Sequence, residues 1–108
     1  MKLIIAIVQD EDVHMLMDDL MENEFRITKL ASTGGFLKAG NTTLLLGVEE
    51  DRVDRALELI KDNCSSRRTT TTLLNVSMPG DAYVPLPMQV QIGGATVFIL
   101  NIEDYIRV

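Results

Sequence analysis

The chain has 108 residues and a formal net charge of −6, and 46% of its residues are hydrophobic while 24% are charged. This balance is typical of a soluble globular protein, and we expect one domain over residues 1–108. The acidity argues against a binder of nucleic acid polymers, because such binding depends on Lys and Arg neutralising phosphates. The longest wholly apolar run, residues 3–8, is too short to span a membrane, which needs roughly 20 residues. With no signal peptide and one cysteine, Cys64, we expect a cytoplasmic protein.

Hydrophobic periodicity and turn residues divide the chain into strands, helices and loops. In chain order we predict a strand at 2–9, a helix from the N-cap Asp10 to about Asn23, strands at 25–32 and 42–48, a helix at 50–63, a strand at 69–76, a surface loop at 78–87, and strands at 89–92 and 95–100. The Gly93-Gly94 pair between the last two strands predicts a two-residue hairpin turn. Pro85 and Pro87 are expected to prevent regular strand pairing around them.

The order of these elements is βαββαβ with extra strand material late in the chain. It predicts an α+β, ferredoxin-like domain, in which two helices cover one face of an antiparallel sheet, with an additional late β-hairpin. The other face of the sheet also carries apolar residues. An uncovered apolar face predicts oligomerisation.

The glycine-rich segment at 33–43, TGGFLKAGNTT, holds three of the seven glycines of the chain. Its stretch from Gly35 to Thr42 reads G-x-x-x-x-G-N-T, which differs from the P-loop G-x-x-x-x-G-K-[ST]. Asn41 replaces the lysine that would reach the phosphates, and a strand follows where a P-loop opens a helix. A P-loop NTPase is therefore excluded. A flexible hairpin loop and a ligand-binding loop both remain open.

Catalytic and metal-binding patterns are absent from the sequence. The chain has one His and one Cys, far apart, and no zinc-binding spacing, so no metal site is expected. No acid–base pair is identifiable, so we do not expect an enzyme. Small ferredoxin-like phosphatases bind phosphate with a loop after the first strand. Here that position reads QDED at 9–12, which would repel phosphate.

Binding groups are concentrated around the glycine-rich segment. Arg26 and Thr28 share one face of the second strand, so a guanidinium and a hydroxyl can converge on one ligand. The amide of Asn41 carries the donor and acceptor that an adenine edge requires. Phe36 or Phe98 would supply an aromatic face for stacking on a base, although core packing is the simpler role for Phe98. This inventory suits a phosphorylated, base-bearing ligand.

Several stretches resemble the PII-like cyclic di-AMP receptors of Firmicutes, the PstA (DarA) type. The similarity runs over essentially the whole chain, and its most specific parts are MKLIIAIVQD at 1–10, FRITKLA at 25–31 and TGGFLKAGNTT at 33–43. The resemblance implies a PII-like homotrimer that binds one cyclic di-AMP in each cleft between neighbouring subunits. It also implies a non-enzymatic signalling role through an unknown downstream protein partner, with no cofactor.

The resemblance also implies which residues contact the ligand. They are Arg26, Thr28, Gly35, Phe36, Leu37, Asn41 and Gly47 from one subunit, with Gly93, Gly94 and Phe98 from the adjacent subunit. The alternative function is a PII-like regulator that binds ATP or ADP, with Arg67-Arg68 holding the phosphates. A purely structural trimeric scaffold is the third possibility.

Overall fold

The computed structural model describes residues 1–30, 40–74 and 85–108. The elements run in the order β1 (Lys2–Gln9), α1 (Asp10–Glu22), β2 (Thr28–Leu30), β3 (Asn41–Val48), a 3-10 turn (Glu50–Arg52), α2 (Val53–Cys64), β4 (Arg67–Leu74), β5 (Pro85–Ile92) and β6 (Ala95–Asn101). Four strands form an antiparallel sheet in the order β2-β3-β1-β6. Together with the two helices, this sheet makes an α+β domain compatible with the ferredoxin-like prediction.

The core lies between one face of the sheet and the two helices. Alternate residues of β1, namely Ile4, Ala6 and Val8, are fully buried there. They pack with alternate residues of β3 and with the apolar stripes of α1 and α2. The period of two along the strands and of about 3.6 along the helices places these residues on facing surfaces.

The opposite face of the sheet has no helix over it among the described residues. The strand register puts Ile5 opposite Leu45 on one side and opposite Phe98 on the other, and Leu3 opposite Leu100. Phe98 and Leu100 are 46% and 45% exposed. We call this surface the open face; its apolar character matches what the sequence predicts.

The late part of the chain differs from the prediction. Strand β5 pairs with β4, and β6 pairs with β1 at the edge of the main sheet, so the hairpin expected at Gly93-Gly94 is wrong. These two glycines, at φ +80° and +97°, instead carry the chain from one sheet to another. We call the two-stranded β4–β5 sheet the arm.

Two further expectations need correction. Pro85 and Pro87 lie within β5 in register with β4, so they do not prevent pairing; a two-stranded sheet has free edges where the missing N–H groups are tolerated. The rest of the predicted loop, 78–84, lies outside the described residues. Asp10, predicted as the N-cap of the first helix, is instead the first residue of α1, and Gln9, with an extended backbone, is the N-cap. The Asp10 carboxylate does not cap the helix and accepts a hydrogen bond from Thr42 Oγ1.

Candidate functional site

The first cleft lies at the end of the sheet where β1 begins. It has a volume of about 600 Å³. Its lining contains three predicted site residues, Arg26, Thr28 and Gly47, and is completed by Met1, Leu3, Ile27, Leu45, Ile102, Tyr105 and Arg107. Thr28 lies opposite Leu45, and Gly47 follows two residues later on the same face of β3, so strand alternation brings these groups together.

Two guanidinium groups give the first cleft a positive character. Arg26 and Arg107 are both exposed, and neither has an ion pair or hydrogen bond to any described residue. Gly47 leaves open space beside them, since a Cβ built there would have no neighbour within 4 Å. An unpaired guanidinium offers a fork of donors that matches a phosphate, so this cleft is suited to a phosphorylated ligand.

Arg52 fixes the chain immediately before Arg26. Its guanidinium donates hydrogen bonds to the carbonyl oxygens of Asn23 and Glu24 and lies 4.0 Å from the centroid of the Phe25 ring. The first two contacts satisfy carbonyl groups just beyond the end of α1. Arg52 therefore holds the backbone from which Arg26 projects, although the sequence pattern does not single it out.

A second cleft lies at the opposite end of the sheet. It has a volume of about 380 Å³ and brings three predicted residues, Asn41, Gly93 and Gly94, together with Ile7, Gln9, Ala95 and Thr96. Asn41 and Gly47 stand at the two ends of β3, six residues and about 20 Å apart. The predicted site residues of one subunit thus fall into two groups, and Asn41 is not in the cleft of Arg26.

The remaining predicted residues lie elsewhere. Phe98 is on β6 and projects from the open face, opposite Ile5, so it is not a core residue. Gly35, Phe36 and Leu37 lie outside the described residues. Tyr105 and Arg107 of the first cleft were missed by the sequence reasoning, because nothing in the local pattern of the last residues links them to Arg26.

Arg67, the other candidate phosphate-binding residue, is already engaged. Its Nη2 donates to Asp12 Oδ1 at 2.6 Å, and its Nη1 donates to the carbonyl of Ser65 at 3.2 Å. The hydrogen bond to Asp12 raises the pKa of Arg67 above its ordinary value. Nearby, burial raises the pKa of the Cys64 thiol to about 11, and the Asp12 charge adds to this effect.

Within the described ranges, no three His, Cys, Asp or Glu side chains are grouped in a way that could hold a metal ion. Both described helices are too short and too polar to cross a bilayer.

A family model described as cyclic-di-AMP receptor matches residues 1–108. The chain belongs to the cyclic-di-AMP receptor family. Among solved structures, it is similar to a functionally unknown protein from Pediococcus pentosaceus, with 42% sequence identity and a TM-score of 0.78 over 99% of this chain and 96% of that one. Membership in this family confirms the resemblance that the sequence shows, most specifically in the glycine-rich segment.

Proposed function

We propose that this receptor is a cytoplasmic, single-domain protein that binds cyclic di-AMP at the subunit interfaces of a homotrimer and catalyses no reaction. Binding changes the conformation of loops that a downstream protein recognises. The observation that carries the proposal is the first cleft, where the unpaired Arg26 guanidinium, the Thr28 hydroxyl and the open backbone of Gly47 converge. Cyclic di-AMP supplies the matching groups, two phosphodiesters and two adenines.

The division of the candidate residues between two clefts supports a site shared by subunits. A ring of identical subunits joins two different patches of its surface at each interface. The first cleft of one subunit can therefore meet the second cleft of the next, so that a single ligand contacts both. Gly93 and Gly94 would then come from the neighbour, as the resemblance implies.

The open face supports the homotrimer. A soluble monomer rarely exposes a contiguous apolar surface of this kind, and packing three open faces against one another would bury it. Mass measurement by native mass spectrometry tests this point. A monomer at micromolar concentration, with and without ligand, would refute the trimer.

The ligand is tested by isothermal titration calorimetry with cyclic di-AMP. We expect Arg26→Ala to weaken binding by tenfold or more, because charge-assisted hydrogen bonds contribute about 1.5–3 kcal/mol. Lys61→Ala is the matched control. It removes one positive charge from the exposed face of α2, where Lys61 lines neither the first nor the second cleft, and should leave the affinity unchanged.

The result also separates the alternatives. No heat and no thermal shift with an excess of cyclic di-AMP would refute the proposal, and binding of ATP or ADP alone would favour the PII-like nucleotide regulator. The Arg67 contacts argue against that alternative, because this guanidinium is committed to Asp12 and Ser65. A protein whose melting curve responds to no nucleotide would be the structural scaffold.

A further inference from the structure

The four residues at 9–12, where β1 becomes α1, make contacts that the proposed function does not use. The stretch reads QDED, and its negative charge is unsuited to a phosphorylated ligand. Three of its four side chains instead bind other parts of the chain. Each of the three contacts a segment that borders the second cleft or the arm.

Asp10 fastens the end of the glycine-rich segment. Its backbone N–H donates to the carbonyl oxygen of Gly40 at 2.8 Å, and its carboxylate accepts a hydrogen bond from Thr42 Oγ1. These two contacts hold the residues on both sides of Asn41. The position of Asn41 in the second cleft therefore depends on the first turn of α1.

Gln9 joins Asn41 to the end of the arm. It lies opposite Asn41 in the β1–β3 register, and its Oε1 accepts a hydrogen bond from the backbone N–H of Gly93 at 2.8 Å. A ligand that displaces Asn41 or Gly93 would therefore disturb Gln9 directly.

Asp12 holds the beginning of the arm. Its side chain is 4% exposed and its Oδ1 accepts from Arg67, the first residue of β4, at 2.6 Å. The other oxygen, Oδ2, is buried and has no hydrogen-bond partner among the described residues. Loss of Arg67 would leave this carboxylate buried and unpaired, which is strongly unfavourable. Because Arg67 is the first residue of β4, breaking the Asp12–Arg67 pair would be accompanied by a shift of the base of the arm.

The length of the arm means that a small rotation at its base would displace its far end by several ångströms. Among the described strands, β4 and β5 pair with each other, and neither extends the main sheet. Each strand of the arm has eight residues and is about 25 Å long. A rotation of about 10° at the base therefore moves the far ends of the two strands, at Leu74 and Pro85, by about 4 Å. The base itself is compact, because Arg67 Nη1 lies 2.7 Å from the position that a Cβ on Gly93 would occupy.

We propose that residues 9–12 couple the ligand site to the arm, with Gln9, Asp10 and Asp12 as positioning residues. This inference rests on the proposed function, since the ligand is taken to be cyclic di-AMP. The coupling follows a series of contacts. Gln9 links Asn41 to Gly93, and Arg67 links Gly93 to Asp12. Ligand binding changes the contacts at Gln9, and the Asp12–Arg67 pair converts that change into a new direction of the arm.

Hydrogen–deuterium exchange of the arm peptides, 67–74 and 85–92, tests the coupling with and without cyclic di-AMP. The variants are Asp12→Asn, Arg67→Gln and the double variant, and Asp18→Asn is the matched control on the exposed face of the same helix. Asp12 and Arg67 line neither cleft, so we expect calorimetric affinities within about tenfold of the wild type, the size of a modest coupling. Circular dichroism checks that each variant is folded.

In the wild type, the ligand should change the exchange rate of the arm. In Asp12→Asn and in Arg67→Gln this change should fall by half or more, and the double variant should resemble the single ones because both remove one interaction. Asp18→Asn should respond as the wild type does. An arm that ignores the ligand in the wild type, or responds fully in both single variants, overturns the coupling. A wild type that binds no cyclic di-AMP overturns the proposed function instead.

Discussion

Gly93→Ala is the substitution whose cost follows most directly from the structure. Gly93 has φ +80°, a region that costs an L-residue about 1–2 kcal/mol. A Cβ there would also lie 2.5 Å from the carbonyl oxygen of Ser65 and 2.7 Å from Arg67 Nη1. The carbonyl belongs to the backbone at the end of α2 and cannot rotate away. Relieving the clash therefore requires the backbone to shift, at a cost of about 1–3 kcal/mol.

The sum predicts a loss of about 2–5 kcal/mol in the free energy of unfolding. Gly94→Ala separates the two contributions, because Gly94 has φ +97° but its nearest neighbour would be Ser66 Cβ at 4.0 Å. Gly94→Ala should therefore lose only the backbone part, about 1–2 kcal/mol. The assay is urea unfolding without ligand, at one fixed protein concentration, for both variants and the wild type. Equal losses in the two variants would refute the close-contact argument, and no loss in either would refute the backbone argument as well.

Two other predictions concern the core and the first cleft. Because the pKa of Cys64 is about 11 in the folded chain and 9.0 is its ordinary value, the folded state should lose about 2 kcal/mol as the pH rises from 8 to 10.5. This loss should be absent from Cys64→Ala in urea titrations at the two pH values, and an unchanged pH dependence would contradict the burial argument. Arg52→Ala should cost about 1–3 kcal/mol and weaken cyclic di-AMP binding through the displaced Arg26, whereas Arg52→Lys should recover only part of both. If Arg52→Ala has the stability and the affinity of the wild type, the contacts of Arg52 with the backbone that follows α1 are dispensable.

The sequence allowed some residues of the clefts to be named, but it did not show which other residues would lie beside them. Arg26, Thr28 and Gly47 could be proposed from alternation on neighbouring strands and from the resemblance, and the structure brings them together. Tyr105 and Arg107 reach the same cleft from the end of the chain, where no spacing rule connects them to residue 26. Likewise, the sequence indicated only that residues 9–12 would repel phosphate, because sequence cannot show which distant donors a carboxylate will meet.

The amino-acid sequence alone determined the helices and most of the main sheet, as at β1, where the structure matches the predicted bounds, and at α1. The second strand is the exception, because β2 begins at Thr28 and Arg26 precedes it, whereas the prediction began this strand at residue 25. Their periodic apolar residues can be buried in only one conformation, so local pattern and tertiary packing agree. Only the tertiary structure decided the partner of each late strand. The turn at Gly93-Gly94 favours a hairpin locally, but β6 pairs with β1, where Val97 packs against the core, and β5 pairs with β4. Strand pairing depends on distant surfaces that compete for the same edge, and the burial that decides the competition is not encoded in any short stretch of sequence.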